Sequence, residues 1–295
     1  MTRQSKPDAV TIAGETHRAG VSAPIIVRAA CLVVLLMTIS APCAAEPLEY
    51  NGFASLKFEA FFSRIEGRMG LAQNIAENGS VIDFITDMGL PADNRTFRIS
   101  MSVRPLEHHL VRVYGSIPEL YRGGTILQRT VQTKSFAYPA GTAVQSQLNI
   151  GTFGFGYDLD FLVGPRWYGG MQGDLKFISL RPTLSAGALA QEDTISLNEL
   201  VPCIGGHVQT RIPLKPTVNA GGYARLTYGI TPNFLNHVDL STGISIGLGS
   251  LWSCLLVEGK VGYELESFSF NQENLLGRQL ELKREGIVFS LEAAF

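Results

Sequence analysis

The chain has 295 residues, of which 45% are hydrophobic and 17% charged, with 31 Gly and a formal net charge of −2. Charge is sparse beside the roughly 25% of an ordinary soluble domain, and the near-neutral balance excludes the basic footprint of a nucleic-acid binder. Beyond the N-terminal region no stretch approaches the roughly 18 consecutive apolar residues of a membrane helix, so if this chain crosses a membrane it does so as strands.

Residues 1–27 read as an N-terminal extension from a start codon set too far upstream, because Asp8 and Glu15 interrupt its basic residues. Residues 28–45 read as a secretory signal peptide. Arg28 precedes an apolar run from Ala29 to Ser40 that is too short to span, and small residues follow for cleavage after Ala45. A lipid anchor on Cys43 is disfavoured by Pro42. Residues 46–295 then form one domain holding Cys203 and Cys254. An oxidising compartment permits a bridge between them, but the strand order below puts them near opposite rims, so none is expected.

From Gly52 to Glu66, Leu56, Phe58, Ala60 and Phe62 alternate with Ser55, Lys57 and Glu59, the period-2 pattern of a strand with one apolar face. Asn78-Gly79 marks a turn. Asp83 and Asp87 follow, but the oxygen-rich alternation and late bidentate acid of a calcium loop are missing. Thr96–Arg104 sets Phe97, Ile99, Met101 and Val103 against Arg98, Ser100, Ser102 and Arg104. Pro105 to His109 makes a tight connection, and Leu110–Gly115 returns with Arg112 and Tyr114 opposite Val111 and Val113, a hairpin. Residues 116–147 run up a long strand and around Tyr138-Pro139-Ala140-Gly141.

The next strand, Leu148–Phe161, carries Phe153, Phe155, Tyr157, Leu159 and Phe161 on one face, over Gly154, Gly156, Asp158 and Asp160 on the other. Five large apolar side chains on one face suit lipid better than water. After a turn at Val163–Arg166, Trp167-Tyr168 is placed at the membrane interface, with Gln172, Asp174 and Lys176 facing inward and a tip at Glu192-Asp193. Gly205–Ile212 turns His207, Gln209 and Arg211 inward, and Val218–Tyr228 does the same with Tyr223, Arg225 and Thr227. His237–Leu248 and Leu255–Ser267 continue the pattern, the latter with Glu258, Lys260, Glu264 and Glu266 inside. After a loop over Asn271–Arg278, the last run ends flush at Phe289, Leu291, Ala293 and Phe295, with Glu292 on the opposite face.

An edge strand that stops at the chain end needs both edges paired, which closure supplies. The expectation is an all-β, closed antiparallel transmembrane barrel of about ten strands, with eight as the second choice. The turn Asp87-Met88-Gly89-Leu90, the two strands after it and the terminal Phe resemble a family of small, largely uncharacterised proteobacterial outer-membrane β-barrels. That resemblance implies a cell outer membrane location, short periplasmic turns, and Phe289, Leu291 and Phe295 as the signal read by the barrel-assembly machinery. It also implies periplasmic chaperones during biogenesis and contact with outer-membrane lipid and lipopolysaccharide.

The proposed lumen holds Lys57, Arg98, Arg112, Lys176, Arg211, Arg225 and Lys260 against Glu59, Asp158, Asp160, Asp174, Glu258, Glu264, Glu266 and Glu292. A barrel this narrow is filled by its side chains, whereas open pores need roughly 16 strands. Unpaired buried charges cost several kcal/mol, so these residues are expected to form a charge-filled plug. The function expected is structural or surface-interacting, without catalysis, cofactor or metal, in a monomer. A narrow channel for ions or small solutes is one alternative and an outer-leaflet lipid-modifying enzyme another. For the enzyme, His237 with Asp239 is the one pair worth naming, and a deacylase-like His-x-Ser arrangement is absent. His108-His109 points to opposite faces of a strand and is a poor metal site.

Overall fold

The computed structural model describes residues 53–71, 80–133, 135–164, 166–215, 218–231, 236–248, 256–272 and 278–294. Ten strands among them form one closed antiparallel sheet. They are β1 Ala54–Leu71, β2 Asp93–Leu106, β3 His109–Ser116 resumed as Glu119–Ile126, β4 Ala143–Gly164 and β5 Trp167–Ala186, then β6 Leu197–Thr210, β7 Val218–Ile230, β8 Asn236–Leu248, β9 Leu256–Gln272 and β10 Arg278–Ala294. Successive strands pair, and β10 meets β1 in an unbroken register from Ser55↔Ala294 to Leu71↔Arg278. The ten-strand expectation is the one observed. Both halves of β3 pair with β4; Pro118, which has no N–H, lies in the gap between them. Residues 1–45, where an N-terminal extension and a signal peptide are expected, lie outside the described residues with Cys254 and Phe295, and Cys203 is a free thiol.

Side chains alternate in and out along each tall strand, but the polarity of the two faces exchanges partway up. On β5 the outward residues are Met171, Leu175 and Phe177, then Ser179, Arg181, Thr183 and Ser185. The inward ones are Gln172, Asp174 and Lys176, then Ile178, Leu180 and Leu184. On β4, Phe153 and Phe155 face out low on the wall while Gln145 faces out high, with Val144, Leu148 and Ile150 buried inside it. On β1 the exchange falls between Phe62 and Arg64, on β9 between Leu265 and Ser267, and on β10 between Ile287 and Glu285. The lower wall therefore carries an exposed apolar belt, as lipid requires, and the upper wall stands in water around an apolar interior.

Above the belt, the seam between β1 and β10 sets Arg64 opposite Glu285, Glu66 opposite Lys283 and Arg68 opposite Glu281. The Arg68–Glu281 and Lys283–Glu285 contacts measure 2.9 and 2.7 Å. The rim is uneven: β7 and β8 end at Ile230 and Asn236 near the top of the belt, whereas β4 and β5 rise well beyond it.

Between β1 and the upper half of β3, residues 80–92 complete the wall. Val81–Asp83 pairs with β1, and a short turn follows. Asp83 Oδ1 accepts the amides of Ile85 and Thr86 at 2.9 and 2.8 Å, and Asp87 Oδ2 accepts the Asp83 amide at 2.9 Å. Arg129 also binds Asp87, at 2.7 Å. The Asp87-Met88-Gly89-Leu90 motif thus closes a turn that the Asp83 and Asp87 carboxylates cap, with Arg129 also held by Asp87. Gly89 takes φ +62 and sits against β3, where a Cβ on Gly123 would fall 2.0 Å from the Gly89 carbonyl oxygen.

Gly123→Ala is expected to force this wedge off the wall. Limited proteolysis should then cut between β1 and β2 much faster than in the parent while heat-modifiable gel mobility persists. Gly115→Ala, whose nearest neighbour would be an ordinary contact at 3.4 Å, should leave the cleavage rate unchanged.

Candidate functional site

The interior has two storeys. In the lower one, the charges that the alternation turns inward pair with one another along and between the strands. Lys57 meets Glu59 at 3.0 Å and Arg98 meets Glu264 at 2.7 Å. Arg112 bridges Asp158 and Asp174 at 2.6 and 2.7 Å, and Arg225 adds to Asp174 at 3.1 Å. Lys260 joins Glu258 and Glu292 at 3.1 and 3.0 Å, and Arg211 approaches Glu258 at 3.8 Å. Asp160 binds His207 at 2.7 Å and Arg104 at 3.0 Å. Gly156 leaves room for the cluster, since a Cβ there would lie 2.4 Å from Arg112 Nε and 2.5 Å from Asp174 Oδ1. Around these pairs is a cavity of about 260 Å³, bordered at the rim where β1 begins and β10 ends by Ala54, Leu256 and Ala294.

A second layer closes this cavity from above. Lys176 Nζ lies 2.9 Å from His237 Nε2 and 3.2 Å from both Asp239 and Glu266. Arg284 bonds Glu266 and Glu119, and Tyr121 donates to Glu119 at 2.9 Å. His237, Asp239 and Glu266 lie within 4.8 Å of one another and are metal-ligating types. The ammonium of Lys176 sits among them, however, and opposes a second cation there. It also separates His237 from Asp239 as a would-be catalytic pair. The His237 ring is fully buried and stacked on Phe268 at 4.8 Å.

The upper storey departs from the expectation of a lumen filled with charge throughout. Ile65, Ile82, Phe84, Met88, Tyr121, Val131, Tyr138, Leu148, Ile150, Ile178, Leu180, Phe268 and Leu282 form one buried apolar core. Once the wall rises out of lipid, its inward positions are no longer the polar ones. Burial and the nearby Asp193 and Glu192 carboxylates push the Tyr138 pKa up to about 12, so its hydroxyl remains a donor, toward the Leu184 carbonyl at 3.4 Å.

All fifteen lumen charges named from the sequence lie in the lower storey or its closing layer. Arg104, Glu119, Asp239 and Arg284 join them there; the first and third sat on strands already read, whereas Glu119 and Arg284 fell in stretches with no clear inner face assigned. Tyr168 is a correction: it does not sit with Trp167 at the interface but points inward and bonds Gln209 at 2.8 Å, as its place beside an outward residue dictates. Phe289 and Leu291 are exposed on the belt. His109 bonds the Tyr157 hydroxyl on the outside.

No family model matches the chain, and no curated protein matches it. Among solved structures, the outer membrane protease OmpT from Escherichia coli is 11% identical with a TM-score of 0.46, covering 86% of this chain and 99% of its own. The translocator domain of the autotransporter NalP from Neisseria meningitidis is 11% identical, TM-score 0.40, covering 90% and 96%. The attachment invasion locus protein Ail of Yersinia pestis is 8% identical, TM-score 0.33, covering 80% and 98%. The fold of this chain is that of outer-membrane β-barrels, and that statement stands on its own closed strand ladder and apolar belt.

Arg284→Leu removes the cation held between two buried carboxylates, Glu119 and Glu266. The expected loss is about 3–5 kcal/mol, read as a lower urea midpoint for the folded gel band in lipid vesicles. Lys283→Ala, on the watered outer face, should cost no more than about 1 kcal/mol by the same measurement.

Proposed function

We propose that the chain is a monomeric barrel of the Gram-negative outer membrane that neither conducts nor catalyses, and that it acts through the wall and loops standing outside the bilayer. In barrels of this kind the short turns face the periplasm and the long connections face out. The two-residue link Glu107-His108 lies at one rim, and the tall upper wall at the other. Lipid and lipopolysaccharide would contact the belt, and chaperones and the assembly machinery would act only during biogenesis.

The observation that carries this reading is the apolar core above the ion pairs. A solute entering the lower cavity meets Lys176, Arg284 and their carboxylates, then closely packed Phe84, Met88, Tyr121 and Leu148. Displacing either layer costs several kcal/mol. The same seal separates His237 and Asp239 from the outer leaflet, which weighs against lipid chemistry at that pair.

Purified protein in planar bilayers is expected to be electrically silent over the usual voltage range. Discrete, reproducible openings would overturn the sealed-barrel reading. Release of an acyl chain from lipid A that disappears in His237→Ala would overturn the non-catalytic one.

A further inference from the structure

Strand β6 has an upstream continuation whose second edge carries no partner strand among the described residues. Gln191–Thr194 pairs with β5 residues Ala186 to Thr183, and the Ile195 amide donates to the Pro182 carbonyl at 3.1 Å, so residues 191–210 follow β5 as nearly one line. On the other side β7 pairs with this line only from Gln209 up to Cys203. The next residue, Pro202, has no N–H with which to extend the ladder. Above it, Gln191 to Glu199 has no strand on its β7 side among the described residues.

This edge stands above the belt, in water. Because Ile195 bonds toward β5, alternation turns the N–H and C=O groups of Thr194, Ser196 and Asn198 the other way. Exposed strand edges in natural barrels are normally blunted, because they template pairing with another chain. Here Ile195 and Leu197 are half-buried against the apolar core, with Asp193 and Glu199 on the same inner phase. The segment 191–202 includes Glu192, Asp193 and Glu199 and no Lys or Arg. Asp193 accepts the Ser135 amide at 3.3 Å, and that neutral donor leaves its charge uncancelled.

We propose that this edge is a docking site for an extended peptide segment that adds one strand beside Gln191–Glu199, the mode in which main-chain bonds give affinity and alternate side chains give specificity. The segment carries basic residues opposite Asp193 and Glu199 and apolar ones opposite Ile195 and Leu197. A second copy of this chain is the poorer occupant, since its own three acids would be brought against these. The inference rests on the surface-interaction reading above and names the partner's chemistry.

The test uses the full barrel in lipid nanodiscs and a fluorescein-labelled heptapeptide, Lys-Thr-Val-Thr-Val-Thr-Lys, followed by anisotropy. Saturable binding is expected, with no binding of the same peptide carrying Glu in place of Lys. Ser196→Pro removes an outward N–H at an edge position, where proline is tolerated; it should weaken binding at least tenfold with heat-modifiable mobility intact. Glu199→Lys leaves Asp193 facing one new cation and should remove most of the preference between the two peptides. Equal binding by parent and Ser196→Pro, or by both peptides, would overturn the proposal. So would a disulfide between two copies of Ser196→Cys, which would mark the edge as a dimer contact. Failure to bind in a barrel that stays silent in bilayers sinks this proposal alone, whereas channel openings sink the reading beneath it.

Discussion

The structure depends on one constraint: a strand's side chains keep their in-and-out phase for its whole length, while the medium on the outside changes from hydrocarbon to water. In the belt, outward positions must be apolar and the lumen takes what polarity the chain has. Above the belt the outward positions must be polar, and the lumen becomes the one place left for apolar side chains to leave water. Phe177 outside and Lys176 inside, followed by Ser179 outside and Ile178 inside, show the exchange within four residues of β5. The apolar core is thus the consequence of a wall taller than the bilayer.

The ion pairs beneath follow from the same constraint at the lower level. Nothing there drives apolar burial, so the lumen is held by charge-assisted bonds, in which Asp174 accepts from two arginines and Lys260 serves two glutamates. Such networks stabilise only when the partners are matched, because a single orphaned charge in a low-dielectric space is costly. The inward glycines of β4 belong to this arrangement: Gly156 is space for a guanidinium.

Much of the barrel was legible in the alternation itself. Ten runs with apolar outer faces gave the strand count, and the residues opposite them gave the lower lumen charges from Lys57 to Glu292. The upper interior was not legible, because the pattern was read with one polarity for each face. In residues 278–285 the charged positions Glu281, Lys283 and Glu285 face outward and Leu280 and Leu282 inward, the reverse of Ile287 onward. Residues 279–285 therefore fit neither the expected loop nor the last apolar run, and Arg284 has no inner face in that pattern. Lys176 among His237, Asp239 and Glu266 joins β5, β8 and β9, a juxtaposition set by barrel closure rather than by any spacing in sequence.

The charged seam between β1 and β10 bears on how the ring finds its stagger. Sliding one strand by a single residue would turn every belt side chain the wrong way, so the competing closures are slips of two. One such slip sets Arg64 against Lys283 and Glu66 against Glu281; the opposite slip sets Glu66 against Glu285 and Arg68 against Lys283. Either way like charges face each other, which is destabilising, and only the native alignment matches acid to base throughout. Six solvent-facing residues that add little to stability thus act as a vernier, selecting the shear of the cylinder and with it which lumen charges meet.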